Sequence, residues 1–289
     1  MQIAHDRPTL RRCTRKWKRD GQTIALVPTM GNLHQGHIAL VTKAKALADR
    51  VVTSIFVNPT QFGAGEDLEA YPRTPDADFE ALEQAQCDLV FTPTVDSIYP
   101  NGLSSAFMLH APEELASVLE GEFRPGHFDG VVTVVSRLFI LVDPDVAVFG
   151  EKDFQQLQII RRMVDDLGHN IAIEGLATVR DESGLALSSR NRYLDTEQTA
   201  AARNLSRVLR DLAARISQGD PNYHSMEQGA IEQLREFGLK ADYVSVRREI
   251  DLGVPAPGDH ELRILAAAWC GPTRLIDNIS THIACNHRD

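Results

Sequence analysis

Apolar positions in the first half of the chain alternate between short continuous runs and stretches of helical period. Thr23 to Val27 is a short β-rich run that breaks at Pro28 and Gly31. A helical pattern begins near Gly36, with Ile38, Val41, Ala44 and Leu47 or Ala48 on one face. Val51 to Val57 has the apolar character of a buried parallel strand. A polar, Gly-rich loop then runs from Asn58 to about Thr74. The segment Asp76 to Gln86 reads as a helix and Asp88 to Thr92 as a buried strand. Val131 to Val142 is predicted helical, Val146 to Phe149 a strand, and Phe154 to Leu167 an amphipathic helix. Strands alternating with helices of this length predict a parallel sheet covered on both faces. The expectation is a doubly wound, Rossmann-like α/β domain that binds ligands at the carboxyl ends of its strands.

The pattern changes after about Leu176. Two helices are predicted, Thr196 to Ser217 and Ser225 to Phe237, with Gly219, Asp220 and Pro221 punctuating the gap. Three strand-like runs follow, Ala241 to Val246, Glu261 to Ala268 and Arg274 to Ile279. The predicted division is 1–176 for the Rossmann-like domain and 177–289 for a smaller α+β domain with an antiparallel sheet.

Composition narrows the function. At 289 residues, with 43% hydrophobic and 24% charged, the chain has ordinary globular usage. Its net charge of −10 gives no general attraction for a phosphate backbone, so nucleic acid is not expected as a partner. Phosphate must instead be held locally. Cys13, Cys87, Cys270 and Cys285 show no paired or metal-like spacing, which reads as free thiols. The first residues lack an apolar core of signal-peptide length, and no apolar run approaches the roughly 20 residues needed to cross a bilayer. A cytoplasmic protein without membrane contact is expected.

The string PTMGNLHQGH, Pro28 to His37, lies between the first predicted strand and the first predicted helix. A helix start there offers unpaired N–H groups and a positive dipole end to a phosphate. His34 and His37, three residues apart, can present both imidazoles on one side of that start. Gly31 and Gly36 let the backbone come close to a nucleotide. The blander alternative is two surface histidines and two turn glycines. No Gly-x-Gly-x-x-Gly, Walker-type Gly-Lys-Ser/Thr, His-Glu-x-x-His or Gly-x-Ser-x-Gly appears, which argues against a redox enzyme, P-loop ATPase, zinc protease or serine hydrolase.

Three further segments carry candidate chemistry. NPTQFGAGED contains Asn58 and Gln61, uncharged amides that suit a carboxylate nucleophile; the alternative is a turn opened by Asn58-Pro59. FGEKDFQQLQ places Lys152 at a strand end, where an ammonium could reach phosphates. Asp153 and Gln156 there also read as an N-cap and its capping-box partner. TVRDESGLALSSRNRYL carries Ser188, Ser189 and Arg190, either a phosphate-gripping set or a polar surface turn.

Together PTMGNLHQGH, NPTQF, FGEKDFQQLQ, GLALSSRNRYL and the segment FRPGHFDGVVTVV resemble the pantothenate synthetase family, within the His-x-Gly-His nucleotidyl-transfer superfamily. The resemblance runs from about Pro28 to Leu194, with length and pattern alone beyond. It implies an AMP-forming ligase that joins pantoate to β-alanine through an acyl-adenylate, with ATP as substrate, Mg²⁺ bound with the phosphates, no metal ligands from the protein, and a homodimer. Carried over, His34, His37, Lys152 and Arg190 are the catalytic set. Met30, Gly31, Asn32, Leu33, Gln35, Gly36, Gly150, Glu151, Asp153, Val179, Leu187, Ser188 and Ser189 line the ATP site. Gln61 and Gln156 hold pantoate, Asn58 is a polar site position, and Arg124 sits in a loop covering the site. Closure of the second domain would exclude water. Gln35, Asp129, Asp181 and Ser183 depart from the family's usual residues. Rival readings are another His-x-Gly-His nucleotidylyltransferase and a non-catalytic nucleotide-binding protein.

Overall fold

The computed structural model describes residues 1–63, 65–219 and 222–283. The expected thiol at Cys285 and the punctuation at Asp220 and Pro221 lie outside those residues; Cys13, Cys87 and Cys270 are free thiols. The chain divides into two compact units. The first comprises Met1–Ser117, Arg124–Glu151 and Gln156–Thr178. The second comprises Val118–Phe123, Lys152–Gln155 and the described residues from Val179 on.

In the first unit six described strands form a parallel sheet in the order β1-β4-β3-β2-β5-β6. They are β1 Gln2–Ala4, β2 Ile24–Thr29, β3 Arg50–Ile55, β4 Leu89–Phe91, β5 Val146–Gly150 and β6 Ala172–Leu176. The longer helices between them are α1 Arg7–Arg19, α2 Gln35–Leu47, α3 Pro75–Gln84, α4 His127–Val142 and α5 Phe154–Leu167. From β2 the chain builds outward to β3 and β4, then returns to place β5 on the other side of β2. The point where strand order reverses therefore lies between β2 and β5, and the loops at their carboxyl ends flank it.

Sequence and structure differ in instructive places. Pro28 was expected to end the first strand, yet β2 runs to Thr29. Its neighbour β5 pairs only with Ala25 and Leu26, so no ladder bond from residue 28 is needed on that side. The periodicity assigned nothing before Thr23, where β1 and α1 lie. Helix α1 buries only Leu10, Thr14 and Trp17, a narrow stripe among basic residues. The helix expected at Val131 begins at His127, and β6 extends the sheet where no strand was assigned.

The core beneath the site is aliphatic: Ala25 and Val27 of β2, Leu40, Val41 and Ala44 of α2, Val51 of β3 and Val148 of β5 belong to one buried cluster. It fixes where β2 ends and α2 begins. In the second unit, β7 Lys240–Arg248, β8 Glu261–Cys270 and β9 Thr273–His282 form an antiparallel sheet, as the three predicted runs required. Helices α6 Thr196–Ser217 and α7 Tyr223–Glu236 cover it through Leu205, Leu209 and Leu234 against Ile264 and Ala266. A capping box of Asp195 and Gln198 starts α6. Arg274, half-enclosed by Glu120 at 2.7 Å and Asp242 at 2.7 Å, ties Val118–Phe123 to this sheet and explains its grouping with the second unit. Among the described residues no helix is long and apolar enough to cross a membrane.

Candidate functional site

The switch-point loop is built from the end of β2. Met30 leads to Gly31, with φ +84°, and Asn32, with φ +49°, both in the left-handed region. A Cβ on Gly31 would stand 3.0 Å from Ile55 and 3.1 Å from Asp78, so glycine is required twice over. Two consecutive amides of this loop, Asn32 N and Leu33 N, donate to the carboxylate of Asp78 at 2.9 and 2.8 Å. Asp78 sits in the first turn of α3, buried, and also accepts from Thr74 Oγ1 at 3.1 Å. The sequence shows it only as a first-turn acid. Nothing in a linear pattern links it to a loop 46 residues earlier.

The loop delivers the chain into α2 through a capping box made of two imidazoles. His34 Nδ1 accepts from Gly36 N at 3.1 Å, and His37 Nδ1 accepts from His34 N at 3.2 Å. A backbone N–H can only donate, so both Nδ1 atoms carry lone pairs. The neutral rings must then hold their proton on Nε2. The rings lie 4.1 Å apart at 39°. Capping thus fixes the tautomer and leaves Nε2–H as the donor of each ring at a helix N-terminus. Gln35 is exposed at the first helical position.

The predicted amide pair is joined directly. Asn58 is 1% exposed and caps the turn Pro59–Gln61. Its Oδ1 accepts from Thr60 N at 3.4 Å and from Tyr99 OH at 2.8 Å. Its Nδ2 donates to Gly130 O at 3.1 Å and to Gln61 Oε1 at 3.1 Å. Because Thr60 N can only donate and Gly130 O only accept, the Asn58 orientation is unambiguous, and so is that of Gln61. The Gln61 nitrogen faces Met30 Sδ at 3.3 Å, a weak acceptor that a ligand oxygen can displace. Tyr99 and Gly130 were missed from sequence. Gly130 lay just before the helix read from Val131, so its place inside α4 was not legible in the sequence.

Arg124 closes this corner. It donates to both oxygens of Glu66 at 2.7 Å, to His127 Nε2 at 3.1 Å and to Gln61 O at 3.4 Å. Burial works against the Glu66 carboxylate, but the Arg124 guanidinium holds its pKa below the usual range. Asp129, a departure from the family's usual residue, accepts from Ala111 N at 2.9 Å and pairs with His110 at 2.7 Å. Gly150 ends β5 beside Leu176, and Gln156 lies half-buried in the first turn of α5.

The second unit holds the remaining candidates. Lys152 and Asp153 belong to a 3₁₀ turn, Glu151–Asp153, that precedes α5, and they pair at 3.8 Å. Lys152 O accepts from Asn278 Nδ2 at 2.9 Å. Val179 and Leu187 face each other across a hairpin, with Leu187 N donating to Val179 O at 2.9 Å. Arg180 pins that hairpin to β9, donating to Asp277 at 2.7 and 2.9 Å and to Asn278 O at 3.2 Å. Adjacent β9 residues therefore hold both Lys152 and the strand leading to Ser188. Asp181 accepts from Ser183 Oγ at 2.5 Å, Ser183 N at 2.8 Å and Leu185 N at 3.0 Å, so the two departures form a closed turn of their own. Ser188 caps the turn Ser189–Tyr193, which Arg190 enters, its Oγ accepting from Arg190 N at 3.3 Å.

A parallel sheet whose switch point carries a helix start capped by two imidazoles has the layout of a nucleotide-phosphate site. The pattern describing the Pantoate-beta-alanine ligase family matches residues 2–280. The chain belongs to the pantoate-beta-alanine ligase family, and it is a ligase. It is 53% identical to the pantothenate synthetase of Thioalkalivibrio sulfidiphilus, over 96% of this chain and 97% of that one. Against the pantothenate synthetase of Pseudomonas aeruginosa it is 52% identical, over 95% and 96%. The crystal structure of pantothenate synthetase from Thermus thermophilus superposes with a TM-score of 0.90 at 41% identity, covering 96% and 99%. That of pantoate-beta-alanine ligase from Francisella tularensis, complexed with beta-gamma ATP and beta-alanine, gives 0.82 at 34%, covering 96% and 97%.

One consequence concerns Asp78. Asp78→Asn keeps the volume but turns one acceptor into a donor facing the Asn32 and Leu33 amides. Charge-assisted bonds of this kind contribute about 1.5–3 kcal/mol, which as lost transition-state binding is about 10- to 100-fold in kcat/KM for ATP. Steady-state kinetics alongside a melting curve read it, with the kinetic loss expected in protein that remains folded.

Proposed function

We propose that this chain condenses (R)-pantoate with β-alanine through a pantoyl-adenylate, releasing pyrophosphate and then AMP. The observation that carries the reading is the His34–His37 capping box, which holds two Nε2–H donors at the α2 N-terminus beside the strand-order reversal. Pantoate's carboxylate is ionised near neutrality, since such acids titrate near 4 or below, so the first step needs no general base. It needs two anions brought together and charge on the α-phosphate offset, which is positioning and electrostatics.

In the first step a carboxylate oxygen bonds to the α-phosphorus and the bond to pyrophosphate breaks. His34 and His37 donate to phosphate oxygens as charge builds. Lys152, Arg190, Ser188 and Ser189 are assigned the remaining phosphate contacts, and Gly150, Asp153, Val179 and Leu187 the nucleoside. Gln61 and Gln156 orient pantoate, with Asn58 acting through Gln61. In the second step the neutral β-alanine amine attacks the acyl carbon, its nitrogen gives up a proton to solvent and the bond to AMP breaks. Among the described residues no three His, Cys, Asp or Glu side chains are placed to hold a metal ion. Mg²⁺ carried by the nucleotide's phosphates would offset charge on the leaving pyrophosphate. The ATP- and pantoate-binding role of the first unit, the lid role of the second and a homodimer belong to the same reading; Phe107, 95% exposed, is a side chain a partner subunit would cover.

Pyrophosphate release from ATP, Mg²⁺ and pantoate, followed before and after adding β-alanine, tests the proposal. Release that becomes sustained with β-alanine and yields AMP is expected. Pantoate-independent release, or ADP as product, would overturn it.

A further inference from the structure

Helix α1 is an anomaly in an acidic protein. Seven of its 13 residues are Arg or Lys and none is acidic, while the whole chain carries −10. Arg7, Arg11, Arg15 and Arg19 recur at every fourth position and so share one face, where each neighbouring pair repels. Lys16 pairs with Asp20 and Lys18 with Asp145. Arg11, Arg12 and Arg15 form no ion pair among the described residues. Arg7 stands apart from these: its guanidinium donates to the backbone carbonyls of Ser97 and Ile98, and burial there lowers its pKa, with Arg11 and Arg137 adding to the effect.

Arg11, Arg12, Arg15 and Lys18 line a groove of about 670 Å³ between α1 and the end of α4, which Ile140 and Asp143 also line. Ile140 is 63% exposed, an apolar surface beside uncompensated guanidinium groups. The groove lies toward the edge of the sheet where β2 and β5 begin: Lys18 reaches Asp145, and Asp145 in turn accepts from Ile24 N at 2.7 Å. The loop carrying His34 and His37 leaves the opposite end of β2, about 20 Å away for a strand of this length.

We propose that this groove is a second anion-binding site, distinct from the ligase site, and that its ligand is a compact polyphosphate, free or carried by a nucleotide. Guanidinium groups grip phosphate oxygens in pairs, and several of them on one face call for several negative charges in a small volume. An extended polyanion would meet the acidic remainder of the protein within a few Debye lengths, whereas a small ligand stays within the local field.

The test is calorimetric titration with inorganic tripolyphosphate, and separately with ATP, of the full chain, R11Q/R15Q and His37→Ala, without Mg²⁺. Tripolyphosphate binding that weakens at least about tenfold in R11Q/R15Q but persists in His37→Ala assigns the groove to free polyphosphate. A second ATP equivalent that vanishes only in R11Q/R15Q assigns it to a nucleotide. R11Q/R15Q should also melt higher than the parent without ligand, because its like charges are gone, and should keep ligase turnover. Binding unchanged in R11Q/R15Q would overturn the proposal. So would a ten-nucleotide single strand that binds through these arginines while neither small probe does.

Discussion

Replacing His37 with alanine is expected to lower pantoate-dependent pyrophosphate release by about 10²- to 10³-fold, the usual effect of removing one donor aimed at charge that develops in a transition state. The ring does two things here, and they can be separated by magnitude. As half of a capping box it accepts from His34 N, and a lost cap costs about 1 kcal/mol, or a few degrees in melting temperature for a chain of this size. A purely structural histidine would show that small thermal loss with near-normal turnover. A phosphate donor shows the large kinetic loss in protein that still folds. His34→Ala should behave in the same way, because its Nδ1 is held by Gly36 N. Stopped-flow detection of pyrophosphate, paired with a thermal melt of each variant, separates the two readings.

The second large effect is expected at a residue that touches no ligand. Gly130 lies inside α4, where alanine would normally be favoured by about 1 kcal/mol. A Cβ there would stand 2.2 Å from Thr60 O, 2.5 Å from Thr60 C and 2.6 Å from Gln61 N. All three are backbone atoms, so no side chain can swing aside. Either α4 or the Pro59–Gln61 turn must move by roughly 1 Å, and a misplacement of that size can cost about 10²-fold in rate. The Asn58 bond to Gly130 O would move with it, and the Gln61 amide would lose its orientation. Gly130→Ala is therefore expected to destabilise by about 1–3 kcal/mol, against helix propensity, and to lower kcat/KM for pantoate about 10²-fold. Kinetics against pantoate at saturating ATP and β-alanine measure it; wild-type behaviour would show that the α4 contact does not position Gln61.

The strands and helices legible in the sequence were those whose burial repeats at short range: β3 and β5, buried on both faces, and α5, with one apolar face. Helix α1 escaped although Leu10, Thr14 and Trp17 share one face, because only two of those three are apolar and seven basic residues surround them. Strand β6 escaped because none of its five residues is fully buried. Pro28 read as a break because propensity does not know that β5 pairs with only two residues of its neighbour. At the site, the sequence marked out the groups here proposed to carry chemistry, His34, His37, Gln61 and Lys152. It did not mark out those that place them. Asp78 reaches its loop across 46 residues and Arg180 reaches Asp277 across 97, contacts that exist only once the sheet has formed.

Oxygen transfer tests the acyl-adenylate most directly. Pantoate labelled with ¹⁸O in both carboxylate positions is turned over once with ATP and β-alanine, and the AMP is weighed by mass spectrometry. One labelled oxygen is expected in each AMP, because the carboxylate oxygen that attacks the α-phosphorus leaves with it. Unlabelled AMP, or label in pyrophosphate, would contradict it.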